Sequence, residues 1–127
     1  MDRVSHFEIP FTDQKRAATF YQKVFGWEIT EIPGMPYWFA TTTPVGENHM
    51  PKEPGAINGG FYERSMDASP NPMIVIEVAD VAARVQEVLM AGGEIVFMPR
   101  QVGDMGLYAQ VKDCEGNYLG LWQNLQQ

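Results

Sequence analysis

Cysteine is almost absent: the 127 residues contain one, Cys114. No internal disulfide can form, which fits a reducing compartment. Long hydrophobic runs are missing too; nothing approaches the roughly 20 apolar residues of a membrane span. The opening MDRVSHFEIP lacks the basic-then-apolar layout of a secretory leader, so a cytoplasmic location is expected. Basic residues are scarce. Nine Lys and Arg face sixteen Asp and Glu, and a net charge of −7 repels phosphate backbones, which argues against a nucleic-acid partner. No phosphate-cradling glycine loop, paired CxxC or Gly-x-Ser-x-Gly elbow occurs. What remains is ordinary for a one-domain globular protein: 45% hydrophobic, 20% charged, twelve glycines and nine prolines.

The pattern along the chain repeats once. SHFEIP alternates as a strand, Thr12 or Asp13 can cap a helix, and Ala17, Phe20, Tyr21, Val24 and Phe25 form its apolar stripe until Gly26 stops it. WEITEI, YWFATTT and AINGGFYE read as three further strands, the last two separated by a Pro- and Gly-rich stretch, PVGENHMPKEPG, suited to a flap. In the second half MIVIEV is the strand, Asp80 the cap, and Val81, Val85, Val88 and Leu89 the stripe. EIVFM, LYAQVK and YLGLWQ follow. RSMDASPNP joins the halves, so residues 1–65 and 72–127 are two βαβββ modules of one domain, 1–127. Glu8 with Glu77, Asp13 with Asp80, and WEITEI with GEIVFM support a duplication.

A four-stranded sheet with one helix leaves its other face uncovered, and two such faces can enclose a cleft. The expected fold is therefore α+β, the two modules forming an open, eight-stranded, barrel-like cleft. Strand alternation assigns the faces. Phe7, Ile9, Ile74, Ile76, Val78, Ala109, Val111, Leu119 and Leu121 go under the helices. His6, Glu8, Val75, Glu77, Tyr108, Gln110, Gly120 and Trp122 line the cleft. Gly120, a glycine inside a strand, is expected to open space beside Trp122. Trp38 is a further candidate for an aromatic lining. His49, in the flap, is expected to be simply exposed, with contact to a ligand as the alternative. His6, Glu8 and Glu77 are the candidate catalytic groups, His6 as a base suited to neutral pH and the carboxylates through burial that raises their pKa.

HFEIP followed by AATFYQKVFGW, with DCEGNYLGLWQ at the far end, resembles the vicinal oxygen chelate superfamily of glyoxalases, extradiol dioxygenases and fosfomycin- and bleomycin-resistance proteins. The resemblance implies a glyoxalase-like fold over the whole chain. It also implies metal-ligand positions on the first, fourth, fifth and eighth strands of metal-using members. Carried onto this chain, those positions are His6, Gly59, Val75 and Gly120. One imidazole does not hold a catalytic divalent ion, which takes about three protein ligands. No metal site and no cofactor are therefore expected.

Two readings follow. The first is a metal-free protein that binds an aromatic or apolar organic molecule through Trp38, Gly59, Tyr108, Gln110, Gly120 and Trp122. The second is a metal-dependent lyase of glyoxalase type, or a dioxygenase, using His6 as a ligand. The residues favour the first and leave catalysis open. A homodimer is expected from the resemblance and from sheet edges that need cover.

Overall fold

The computed structural model describes residues 1–48 and 50–126, so His49 of the flap lies outside the described residues. All ten expected elements form, in the order β1 (Arg3–Phe11), α1 (Gln14–Phe25), β2 (Glu28–Glu31), β3 (Tyr37–Thr41), β4 (Gly59–Glu63), β5 (Met73–Glu77), α2 (Val81–Met90), β6 (Glu94–Val102), β7 (Gly106–Lys112) and β8 (Tyr118–Asn124). No described helix is long and apolar enough to cross a membrane. The chain divides into two compact units, residues 6–64 and a second made of residues 1–5 with those from Ser65 onward.

Both units have the same topology. In the first, the strand order is β2-β3-β4-β1, with β1 parallel to β4 and the rest antiparallel. In the second it is β5-β8-β7-β6, with β5 parallel to β8. The helices start where the sequence places their caps: Asp13 accepts from the Arg16 amide and Asp80 from the Ala83 amide, both at 3.0 Å. Gly26 closes α1 in the left-handed conformation (φ 72°) that glycine adopts without strain.

Each helix covers one face of its own sheet. In the second unit Val78, Val81, Val85, Ala109, Val111 and Leu121 make a sealed core, with Ile76 and Leu119 packed against it. The first unit is aromatic: Phe11, Ala40 and Phe61 are buried, with Phe7, Ile9, Tyr21, Trp27 and Trp38 around them. Tyr21 stacks on Trp27 at 5.0 Å and meets Phe61 edge-on at 5.0 Å. The expected α1 stripe is only partly covered. Ala17 and Tyr21 pack inward, whereas Phe20, Val24 and Phe25 are more than half exposed. The reason is angular: five apolar positions span more of the helix surface than one small sheet can meet. In α2, too, Val81 and Val85 are sealed while Leu89 stays exposed.

The turn before β8 is as expected. Asp113 accepts from the amides of Glu115 and Asn117 and from the Asn117 side chain. These contacts, those of Asn117 foremost, hold its carboxyl below the usual carboxylate range.

Gly59 tests the packing of the first unit. It pairs with Phe7, and a side chain there would run into both the carbonyl oxygen and the ring of Phe7. Gly59→Ala is expected to destabilise the protein by about 2 kcal/mol or more, because backbone cannot step aside as a side chain can. Urea denaturation reads this; a change under about 0.5 kcal/mol would contradict the packing.

Candidate functional site

The helix-free face of the first unit is set by strand register. Glu8 of β1 pairs with Gly60 of β4, and Gly60 with Phe39 of β3. One step along, Pro10 pairs with Tyr62 and Tyr62 with Tyr37. Pairs share a face, so Glu8, Gly60, Phe39, Tyr62 and Tyr37 lie together, with His6 two residues before Glu8. Two expected lining residues are elsewhere. Gly59 faces α1 against Phe7, one residue out of register with its expected place. Trp38 also faces the helix, its ring edge-on to Phe11 at 5.0 Å. A side-chain period of two turns any one-residue misjudgement into a change of face.

Glu8 is buried at 4% exposure. Tyr37 is hydrogen-bonded to it, and burial followed by the Glu8 charge pushes the Tyr37 phenol well above its ordinary range. The phenol therefore stays protonated and donates to the carboxylate. Its hydroxyl occupies the space that a side chain on Gly60 would need. His6 has the opposite displacement: burial pushes its pKa down to about 4, so its imidazole is neutral at physiological pH. Asn58, just before β4, spends its side-chain oxygen on the Thr42 and Thr43 amides at 2.8 and 2.9 Å.

The second unit repeats the arrangement. Val75 pairs with Gly120 and Gly120 with Gln110; Glu77 pairs with Trp122 and Trp122 with Tyr108. Gly120 does not open space beside Trp122. A Cβ there would lie 2.8 Å from a Val75 methyl and 3.1 Å from the Tyr108 ring. Trp122 leans away over Gly106 instead. Gln110, 2% exposed, donates to the Tyr108 hydroxyl at 2.8 Å and accepts from the Ser69 amide at 2.9 Å. It thereby ties the inter-module linker to the tyrosine. Glu77 receives two bonds from Arg3, at 3.1 and 2.9 Å, into one carboxylate oxygen.

Superposing the two plans corrects the internal repeat. Glu8 opposes Gly60 as Val75 opposes Gly120. Each lies five residues before its helix cap, Asp13 or Asp80. Val75 is thus the counterpart of Glu8, not of His6, and Glu77 is the counterpart of Pro10. The counterpart of His6 is Met73, and the fourth-strand position is Gly60. The register-corrected set is His6, Gly60, Met73 and Gly120, with one ligating side chain among four. Both glycines are covered by a tyrosine. Among the described residues no group of three or more His, Cys, Asp or Glu is placed to hold a metal. The residues present do not fit the metal site that the resemblance implies. Tyr37, Phe39, Gly60 and Tyr62 were absent from the sequence-based set. The spacing to the two cap aspartates was the available signal for the register.

Burial of His6 makes stability depend on pH. Its folded pKa, about 4, lies below the ordinary 6.5. Between those values the unfolded chain binds more protons, so the contribution is complete above pH 6.5 and lost as pH falls towards 4. The loss attributable to this residue is of order 3 kcal/mol at most. Urea midpoints of the wild type should fall over that window more steeply than those of His6→Asn. Parallel curves would contradict a buried neutral imidazole.

A family model for the bleomycin resistance protein-like N-terminal region matches residues 3–41. CFP32 of Mycobacterium bovis, named as a candidate glyoxylase, is 31% identical over 121 residues, which cover 91% of this chain and 43% of that protein. The chain thus spans less than half the length of the curated relatives it matches, the Mycobacterium tuberculosis CFP32 included. Among solved structures, a hypothetical protein of Bacillus halodurans superposes with a TM-score of 0.65 at 17% identity, over 99% of this chain and 96% of that one. A Streptomyces coelicolor methylmalonyl-CoA epimerase variant with 2-nitronate-propionyl-CoA gives a TM-score of 0.64 at 18% identity, over 98% of each chain. A glyoxalase/bleomycin resistance protein/dioxygenase superfamily member from Vibrio splendidus gives 0.60 at 16%, over 98% of this chain and all of that one. At such identities the structures speak for the fold alone. Motifs, relatives and fold all point to the vicinal oxygen chelate superfamily, and the chain has its glyoxalase-like α+β fold.

Proposed function

We propose that this protein binds a small aromatic or apolar organic molecule on the helix-free faces of its sheets without a metal ion. The observation that carries the reading is the tyrosine over each glycine. At Gly60 and Gly120, where the resemblance places metal ligands, Tyr37 and Tyr108 close in, bonded to Glu8 and Gln110. These faces offer rings for apolar contact, with phenol, carboxylate and carboxamide groups to orient a ligand. They offer little to hold a divalent cation.

The polar contacts also favour binding over catalysis. A base works best with a pKa near the working pH, and His6 at about 4 is far below it. Glu77 is held by Arg3, and Glu8 accepts from Tyr37. Of the three candidate catalytic groups, His6 is therefore not matched to proton transfer at neutral pH.

Elemental analysis of purified protein should find metal far below one equivalent, and zinc, manganese, nickel and iron should leave its melting temperature unchanged. One equivalent of metal, lost in His6→Ala together with stability, would overturn the reading in favour of a metal-dependent lyase or dioxygenase. Nile red, a neutral aromatic dye, should bind, and Phe39→Ala should weaken it roughly tenfold by removing one exposed ring from the Gly60 face. Equal affinity in the variant would remove that face from the site. The same reading includes a cytoplasmic homodimer, for which light scattering should give twice the 14.3 kDa chain mass; a monomer across a concentration series would refute the dimer.

A further inference from the structure

The first unit has a second concavity, on the helix side of its sheet and distinct from the Glu8 face. It is a groove of about 350 Å³ where the end of β1 meets the first two turns of α1. That volume suits a small organic molecule. Its apolar wall is Phe11, Ala17, Phe20 and Tyr21, and its polar wall includes Arg16 and Arg64. The groove exists because Ala17 is small: one turn later Phe20 and Tyr21 stand up as an edge-to-face pair, 5.2 Å apart, and leave a hollow over the alanine. Phe20 remains 53% exposed, although a helix of this amphipathic kind ordinarily turns its rings inward.

The two arginines make the groove unusual for this protein. They are two of only nine basic residues in a chain of net charge −7. Arg64 is aimed by the end of the parallel β1–β4 ladder: its amide donates to the Phe11 carbonyl at 2.8 Å, and its guanidinium to the Thr12 hydroxyl at 2.8 Å. Arg16 lies in the first turn of α1, where the N-cap Asp13 accepts from its amide at 3.0 Å and contributes the one carboxylate of the lining. No described ion pair engages the Arg16 guanidinium.

We propose that this groove is a binding site for a small anionic aromatic molecule, a ring carrying a phosphate or carboxylate. The ring lies over Ala17 against Phe20 and Tyr21. The anion lies between Arg16 and Arg64, whose planar forks match two-oxygen anions. Charge complementarity decides the occupant: two guanidiniums outnumber one carboxylate in the lining, in a chain whose net charge is −7. The site is independent of the metal-free binding proposed for the helix-free faces.

Titration with 1-naphthyl phosphate, followed by amide chemical shifts, tests it. Shifts should concentrate at residues 11–21 and Arg64, and 1-naphthol, with the same ring and no charge, should bind about tenfold more weakly or worse. Arg16→Gln with Arg64→Gln should weaken the phosphate about tenfold and flatten its salt dependence while leaving the melting temperature within a few degrees. Phe20→Ala should weaken phosphate and naphthol alike. Shifts confined to the Glu8 or Gly120 faces, equal affinity for naphthol, unchanged affinity in the double variant, or no binding at millimolar probe would each overturn the proposal.

Discussion

Parallel pairing of the first strand of each module with its last, β1 with β4 and β5 with β8, governs what this protein can present to a ligand. The pairing puts a glycine opposite Glu8 in one module and opposite Val75 in the other. Because side chains alternate strictly, the same register buries Phe61 and Leu121 under the helices on the opposite face. Neither face can change without the other. A slip of one residue would expose the core and bury Glu8 among aromatic rings, a cost no local contact offsets.

Within that frame a tyrosine leans over each glycine. Tyr37 and Tyr108 occupy equivalent places, each beside the residue paired two positions beyond the glycine, Tyr62 or Trp122. The ring and its direction are common to both modules, while the polar partner differs, Glu8 in one and Gln110 in the other. The two modules therefore share geometry but differ in chemistry. One holds a buried carboxylate against a phenol, the other a neutral carboxamide that also reaches the linker at Ser69. In each case the buried polar group is hydrogen-bonded, which is the condition for tolerating it away from water.

The first module also departs from the second in its helix. In α2 the valines at 81 and 85 are sealed, whereas no residue of α1 is fully buried. Large rings on α1 require more area than the small sheet beneath provides, so Phe20, Val24 and Phe25 remain outside. The groove over Ala17 is one consequence of that excess. Aromatic mass on one side of a small alanine produces relief, and relief beside arginines produces a place with both shape and charge.

Periodicity, caps and turn residues determined the elements of this protein by themselves. Asp13, Asp80, Gly26 and the Asp113 turn act through neighbours a few residues away, so their roles are written locally. Alternation likewise determined the helix-facing set in the second module apart from Ile74, which at the start of β5 stays 44% exposed and outside the core, and the placing of His6 and Glu8 on one face. Only the tertiary structure decided the rest. Whether Gly59 or Gly60 shares the face of Glu8 depends on pairing across fifty residues, and YWFAT alternates equally well in either register. Where the tyrosines lean, and that Gly120 is filled rather than open, depends on rotamers chosen by packing on both sides of a strand. The Arg3–Glu77 pair joins residues 74 positions apart, and such contacts have no local signature because long side chains find their partners only after the chain has folded.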